Sequence, residues 1–400
     1  MPAFCKSVIR QCASIHLLGW VLLSVSLAGA QDPETGAGHY TEKELETLKR
    51  VYQEAVAKPV AQFESLSQPA FCSDFGPRHS PWRIGPFVLD ASLTFTKTRL
   101  FEDPLNIGWK STVIGNPTLI ERDGRLHMFY RGYPRKESQS TRIGHAVFTE
   151  RAGWEDLSGP PVLYSTEPDE INSVEDPKLY QHGDTYYLFY NAVWTPDPEF
   201  SERIRRGYRD WGVFVVTKLA VSRDLVRFEK KGQVVPYSVS RGWSKGAVIP
   251  RDPAGRAVRV NGKFLMFLSE GCGDQQYIGY SDDLVNWEFR QQTFLELPAE
   301  MGRIAEVACC VAEFEPTGKH LVLDVFYRDR QQQYRAVQAL YHVGNVTQPL
   351  AIEQGGSLAW GGLLKYRGAW IVAQGWDSPK DRQDLYFYRF SGSPGVELGR

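Results

Sequence analysis

The stretch Asn116-Pro-Thr-Leu-Ile-Glu-Arg-Asp-Gly124, running on into Arg125-Leu-His-Met-Phe-Tyr-Arg131, decides the fold, because the chain repeats its pattern. The pattern is a short apolar run, a Gly-containing turn, and an apolar or aromatic strand that ends in polar residues. A second copy reads Glu175-Asp-Pro-Lys-Leu-Tyr-Gln-His-Gly183 with Thr185-Tyr-Tyr-Leu-Phe-Tyr-Asn191. Three more follow: Lys245-Gly-Ala-Val-Ile-Pro250 with Lys263-Phe-Leu-Met-Phe-Leu268, Cys309-Cys-Val-Ala-Glu-Phe314 with His320-Leu-Val-Leu-Asp-Val-Phe-Tyr327, and Gly362-Leu-Leu-Lys-Tyr-Arg-Gly368 with Ala369-Trp-Ile-Val-Ala-Gln374. A period of roughly 50–70 residues is the scale of a propeller blade, not of a helical solenoid. The expected fold class is therefore all-β, a five-bladed β-propeller over residues 82–395. The first strand of each blade then lines one central axis, and its polar residues converge on a single pocket.

Two outer units repeat as well. Ala220-Val-Ser-Arg-Asp-Leu-Val-Arg-Phe-Glu229 and Gly279-Tyr-Ser-Asp-Asp-Leu-Val-Asn-Trp-Glu288 carry a Ser-x-Asp turn and a Leu-Val-x-aromatic run at one offset. The last blade, ending at Asp384-Leu-Tyr-Phe-Tyr-Arg-Phe390, has three strands where its predecessors have four. The spare strand Phe87-Val-Leu-Asp-Ala-Ser-Leu-Thr-Phe95 is expected to complete it and so remove an exposed edge.

With 400 residues the chain is long enough to bury a large core in one domain. Aromatic residues make up 13%, which suits strands and also stacking on flat ligand faces. A formal net charge of −1 without a long basic run argues against a nucleic-acid partner. At the N-terminus, Lys6 and Arg10 precede the apolar stretch Ile15–Leu27 and the small residues Ala28-Gly29-Ala30, the pattern of a signal peptide over 1–30. Export to a secreted or periplasmic location is expected, with no membrane association after cleavage. Residues 31–81 read as a linker and a short N-terminal helix from Thr41 to about Glu64, with a Thr41/Glu44 capping box and a stripe of Leu45, Leu48, Tyr52, Ala55 and Val56. Four cysteines remain after cleavage: Cys72, Cys272, Cys309 and Cys310. The adjacent pair points to opposite faces of a strand and does not close on itself. There is no zinc-type spacing, so no metal and no cofactor is expected.

The strongest chemical signal is Ser173-Val-Glu-Asp-Pro-Lys178. Two carboxylates before a proline at the start of an innermost strand are poorly explained by strand formation, because Asp and Pro are depleted from strand interiors. An Asp-Pro turn is the plain alternative. Asn116-Pro117 occupies the same place one blade earlier and favours the axial reading.

These motifs resemble glycoside hydrolase family 130. Asn116-Pro-Thr-Leu-Ile with Phe129-Tyr-Arg-Gly, and Val174-Glu-Asp-Pro-Lys-Leu with Tyr186-Tyr-Leu-Phe-Tyr, look like its motifs, and Trp243-Ser-Lys-Gly-Ala-Val-Ile-Pro and Tyr334-Arg-Ala-Val-Gln-Ala-Leu fall in matching order. The likeness spans roughly residues 82–390, on a scaffold shared with glycosidase families 32, 43, 62, 68 and 117. That family contains inverting β-mannoside phosphorylases and some hydrolases. The resemblance implies that Asp176 is the general acid, and Glu175 beside it, with partial burial, is expected to raise its pKa. It implies sugar contacts for Asn116 and Arg131, and matches Lys245 to a lysine that helps hold phosphate in the phosphorylases. Arg131 and Lys245 can equally be salt-bridge partners of Asp176 or Glu175.

The departures are as informative. A Tyr-His pair of the phosphorylases reads Phe326-Tyr327 here, their Arg after Asp-Pro is Lys178, and a His-Arg segment is replaced by Ser269-Glu270. Each change weakens an anion site. The leading expectation is an exported glycoside hydrolase acting on glycosides such as β-mannosides by inversion. Its base is Glu306 or, as second choice, Asp377, and its stacking residues come from Trp376, Trp243, Trp360 and Tyr133. A β-mannoside phosphorylase using inorganic phosphate and a non-catalytic carbohydrate-binding propeller are the alternatives.

Overall fold

The computed structural model describes residues 74–76, 79–96, 113–133, 141–157, 161–209, 211–357, 362–374 and 384–396. The expected signal peptide and N-terminal helix lie outside them. Strands β1 (Val88–Leu89) and β2 (Phe95–Thr96) come first. Blade one is β3 (Val113–Arg122), β4 (Arg125–Tyr133), β5 (Arg142–Thr149) and β6 (Gly153–Asp156); blade two is β7 (Ser173–His182), β8 (Thr185–Trp194), β9 (Phe214–Ser222) and β10 (Glu229–Gln233). Helix α1 (Pro198–Arg205) stands between β8 and β9. Blade three holds β11 (Ser244–Lys245), β12 (Phe264–Leu268), β13 (Glu270–Gly271), β14 (Tyr277–Ser281) and β15 (Glu288–Gln291). Blade four is β16 (Arg303–Ala312), β17 (His320–Arg328), β18 (Tyr334–His342) and β19 (Ala351–Gln354). Blade five is β20 (Leu364–Tyr366), β21 (Ala369–Gln374) and β22 (Asp384–Phe390). The molecule is a five-bladed β-propeller. No helix among the described residues is long and apolar enough to cross a membrane.

Turn chemistry explains the hairpins. Asp123-Gly124, Asn261-Gly262 and Arg367-Gly368 each place both central residues at positive φ, the two-residue turn whose twist matches paired strands. The repeated Ser-x-Asp units fold alike. Ser222 Oγ accepts from the amides of Asp224 and Leu225 at 3.2 and 2.9 Å, and Ser281 Oγ from Asp283 and Leu284 at the same distances. Leu225 and Leu284, both buried, sit at φ 66° and 65°. Burying the leucine side chain offsets backbone strain that a non-glycine residue rarely accepts.

The core is five wedges. Leu119, Met128 and Ile371 pack between blades five and one; Phe129, Leu188 and Val216 between one and two; Phe189, Leu219 and Phe264 between two and three. Phe267, Cys310 and Leu323 fill the gap between three and four, and Cys309, Trp370 and Val372 that between four and five. Cys309 and Cys310 thus serve opposite wedges, and both are free thiols.

The spare N-terminal strand completes blade five. Val88 faces Arg389, Leu89 faces Tyr388, and Phe95 faces Leu385. The approach to it is pinned by the buried Arg83, which donates to Gln338 Oε1 at 3.1 Å and to the Gln354 and Gly355 carbonyls at 2.7 and 2.6 Å.

Innermost strands are tied across blades. Leu179 N donates to Thr118 Oγ1 at 3.1 Å, and Tyr180 Oη donates to Ala247 O at 3.1 Å while accepting from Ile249 N at 3.0 Å. Arg251 N donates to Cys310 O at 3.1 Å. The Arg251 guanidinium, fully buried, reaches the Leu119 carbonyl of blade one at 3.3 Å and the Leu363 carbonyl at the entry to blade five. Removing it would strand two buried carbonyls and open a void, so Arg251→Ala is expected to lower stability by about 2–4 kcal/mol. A urea unfolding curve within about 0.5 kcal/mol of the parent would remove the axial tie from the account.

Candidate active site

Asn116 and Asp176 reach the axis through backbone irregularity. In β3 the register slips between Gly115 (opposite Arg131) and Thr118 (opposite Phe129); in β7 it slips between Glu175 (opposite Asn191) and Lys178 (opposite Phe189). Each slip is a bulge holding the residue before a proline at positive φ, 47° for Asn116 and 52° for Asp176. Asn and Asp are the non-glycine residues that accept such angles most readily, and proline cannot donate to a ladder in any case. Blade four repeats the device, with slips on either side of Glu306 and Val307. In blade three Gly246 takes φ 75°, and a Cβ there would meet Glu306 Oε1 at 3.1 Å. Four innermost strands thus break pairing near the mouth of the axis, and the polar side chains emerge at the breaks.

The first cluster is held by charge. Asp176 Oδ1 accepts from Asn116 Nδ2 and, at 3.1 Å, from Arg131 Nη1; its Oδ2 accepts from Lys245 Nζ at 2.8 Å. Glu175 takes Arg131 at 2.5 Å and Lys245 at 3.0 Å, and accepts from Ser173 Oγ at 3.1 Å. Burial pushes the Asp176 carboxyl up, but Lys245, Arg131 and the hydrogen bonds from Lys245 and Asn116 outweigh it and hold it well below the usual carboxylate range. The expected rise at Asp176 is therefore corrected: two cations from other strands override the neighbouring Glu175. The same carboxylates outweigh burial at Lys245 and hold its pKa well above the ordinary value.

The second cluster is a carboxyl pair. Lys245 stands opposite Glu270 in the β11–β13 pairing, and Val307 N donates to Ser269 Oγ at 3.1 Å, which draws blade four against this corner. Glu306, packed against Gly246, stands at the same corner as Glu270. Burial, and then the Glu306 charge, push the Glu270 carboxyl from 4.5 up to about 8, against the pull of Lys245. Trp243 Nε1 donates to Glu270 Oε1 at 3.4 Å. Lys178 enters from across the axis. Its buried ammonium makes no hydrogen bond among the described residues, and Glu306 Oε1 lies 3.5 Å away.

Asn116, Arg131, Glu175, Asp176, Lys178, Lys245 and Glu306 are thus brought together, and Trp243 borders them. Asp377, Trp376 and Trp360 lie outside the described residues, as does the Tyr133 side chain. Tyr327 is turned away into the wedge between blades three and four. Glu270, which was not among the residues expected to form the site, stands within it. Its signal was present, since it stands where the phosphorylases place a His-Arg segment. The arrangement sets fixed charges beside a carboxyl, Glu270, that keeps its proton near neutral pH.

Residues 106–341 match glycoside hydrolase family 130, described as β-1,4-mannooligosaccharide phosphorylase. Two curated proteins of Thermoanaerobacter sp. (strain X514) are similar. One is a 1,2-β-oligomannan phosphorylase, 26% identical over 184 residues, covering 45% of this chain and 53% of that protein. The other is a β-1,2-mannobiose phosphorylase, 26% identical over 193 residues, covering 43% and 54%. The chain spans about half the length of these curated relatives. A solved family-130 structure superposes with TM-score 0.59 at 16% identity, covering 80% of this chain and 97% of that one. It was reported under the statement that this family of mannoside phosphorylases contains glycoside hydrolases that target β-1,2-mannosidic linkages in Candida mannan.

The carboxyl pair has a consequence for stability. Glu270 titrates at 4.5 when unfolded and about 8 when folded, so folding takes up a proton between those values. The stability it contributes is complete below about pH 4.5, declines as pH rises, and is gone above about pH 8. Glu270→Gln is expected to flatten that decline in urea midpoints measured across this range. An unchanged slope would place the proton elsewhere.

Proposed function

This chain belongs to glycoside hydrolase family 130, and from that premise we propose that it cleaves β-mannosidic linkages of an oligosaccharide in the axial pocket. Two acceptors compete. The names of the family and of both curated relatives support phosphate over water. The charge around this pocket supports water, and we put hydrolysis first on one observation: Glu270, opposite Lys245, and Glu306, packed against the adjoining Gly246, set two carboxyl groups at one corner of the site.

Three cations, Arg131, Lys178 and Lys245, face four carboxyl groups, Glu175, Asp176, Glu270 and Glu306, among the described residues. One shared proton on the pair brings this set to neutrality. A phosphate dianion would have to take Lys245 and Arg131 from carboxylates already paired with them, and would meet Glu270 and Glu306 as like charges. Water meets no such penalty. Its oxygen attacks the anomeric carbon while its proton passes to Glu306, whose Oε1 lies 3.5 Å from the Lys178 ammonium. Asp176 gives a proton to the departing glycosidic oxygen, and the anomeric configuration inverts. Asp176 is ionised in the free pocket, so this role requires that bound sugar loosen its contacts with Lys245 and Arg131 and exclude water, both of which raise a carboxyl pKa. The positions reading Lys178 and Ser269-Glu270, where phosphorylases carry Arg and His-Arg, support the same acceptor. The leader-like segment of residues 1–30 supports a place of action outside the cytoplasm.

The test is product analysis on β-1,2- and β-1,4-mannobiose with and without inorganic phosphate. Release of free mannose alone, at a rate independent of phosphate, is expected. Mannose 1-phosphate formed only when phosphate is present would give the chain to the phosphorylases. Asp176→Asn and Glu306→Gln should each lower kcat/KM by about 10²–10⁴-fold. Full turnover in either variant would remove that residue from the mechanism.

A further inference from the structure

Beside the carboxyl pair the pocket rim carries aromatic surface that bond cleavage does not use. Trp211 lies in the connection between α1 and β9 and is 48% exposed, unusual for the largest side chain in a folded domain. Its ring centroid is 5.4 Å from that of Trp243, with the planes inclined at 40°. Trp243 in turn touches Glu270 through its indole N–H. The two indoles form an inclined ledge running outward from the carboxyl pair.

The ledge is held in place from behind. Arg205, at the C-terminal end of α1, is buried, and its guanidinium donates to the Arg209 carbonyl at 2.5 Å and the Val213 carbonyl at 2.7 Å. Those carbonyls bracket Trp211. The guanidinium also lies 4.9 Å from the Phe214 ring centre and donates from Nε to Ser201 Oγ at 3.0 Å. A loop tied at both shoulders to a buried cation presents its indole in a fixed pose, so a ligand need not order it on binding. Polar groups stand nearby: Tyr208 Oη donates to Asp274 Oδ1 at 3.5 Å, and Asp274 pairs with the exposed Arg303 from blade four.

We infer that Trp211 and Trp243 form an additional sugar-binding subsite, taking a pyranose unit of the substrate beyond those that flank the scissile bond. This rests on the oligosaccharide-cleaving reading above. A pyranose has a face of C–H groups and an edge of hydroxyls, and the ledge offers the exposed part of the Trp211 indole, with the Arg209 guanidinium carbon 4.8 Å from the ring centre and further polar groups at the side. One exposed indole is too small an area for a stable protein interface, which needs about 800 Å² on each partner. Its continuity with Glu270 through Trp243 points to the ligand already in the pocket. The chain is thereby suited to oligosaccharides longer than a disaccharide.

Kinetics on β-mannooligosaccharides of two to five units test this, comparing the parent with Trp211→Ala and Trp211→Phe. In the parent, kcat/KM should rise with chain length. In Trp211→Ala the rise should vanish through KM, a loss of about tenfold on the longest substrates and little on the disaccharide, with Trp211→Phe between. The subsite is overturned if the parent cleaves the disaccharide as well as the longer chains, or if Trp211→Ala lowers all lengths equally. A parent that cleaves none of them overturns the mannoside reading and the subsite together. Circular dichroism matching the parent confirms that a surface substitution has left the fold intact.

Discussion

Five blades meet at one axis, and every innermost strand brings backbone carbonyls to it that water cannot reach in the interior. The Arg251 guanidinium answers this problem by donating to Leu119 and Leu363 while its own backbone pairs with blade four. A planar group with five donors can serve several strands at once where an ammonium cannot. Burial alone lowers its pKa, so the arrangement carries a desolvation cost that the bonds must outweigh. The return is a tie that joins blades one and four to the entry of blade five. The broken pairing at Asn116, Asp176 and Glu306 lies in innermost strands of the same ring of blades.

At these breaks the strands trade regularity for aim. A strand that paired perfectly would alternate its side chains between the two adjoining wedges and send none along the axis. The bulges redirect single residues, and positive φ at Asn116 and Asp176 is the local strain that this requires. Charge then fixes what the backbone has aimed. Lys245 bridges Glu175 and Asp176 on one strand and faces Glu270 on another, so it couples both carboxyl clusters and helps set which of them is protonated.

The architecture was legible in the chain because a repeat of this length carries its own topology, and Asp-Gly and Asn-Gly turns state where hairpins close. The Asp-Pro and Asn-Pro signals were legible for the same reason: they violate strand preference where a strand is otherwise certain. Protonation was not legible. Glu175 is Asp176's neighbour in sequence and argued for a raised pKa, but Arg131 and Lys245, which win, lie 45 and 69 residues away. Glu270 was hidden because its partner Glu306 belongs to another blade and no local pattern marks their meeting. Trp211 was hidden in a polar connection whose geometry depends on Arg205.

Blade five is built from both ends of the domain: Val88 lies against Arg389, and the amide of Gly395 donates to the Pro81 carbonyl at 3.0 Å. The domain therefore has no first or last blade in a mechanical sense. A pull on either end is borne by the same sheet, and no blade can peel away without breaking two wedges of core at once. Covalently the chain is a line, but its non-covalent bonds make it a hoop.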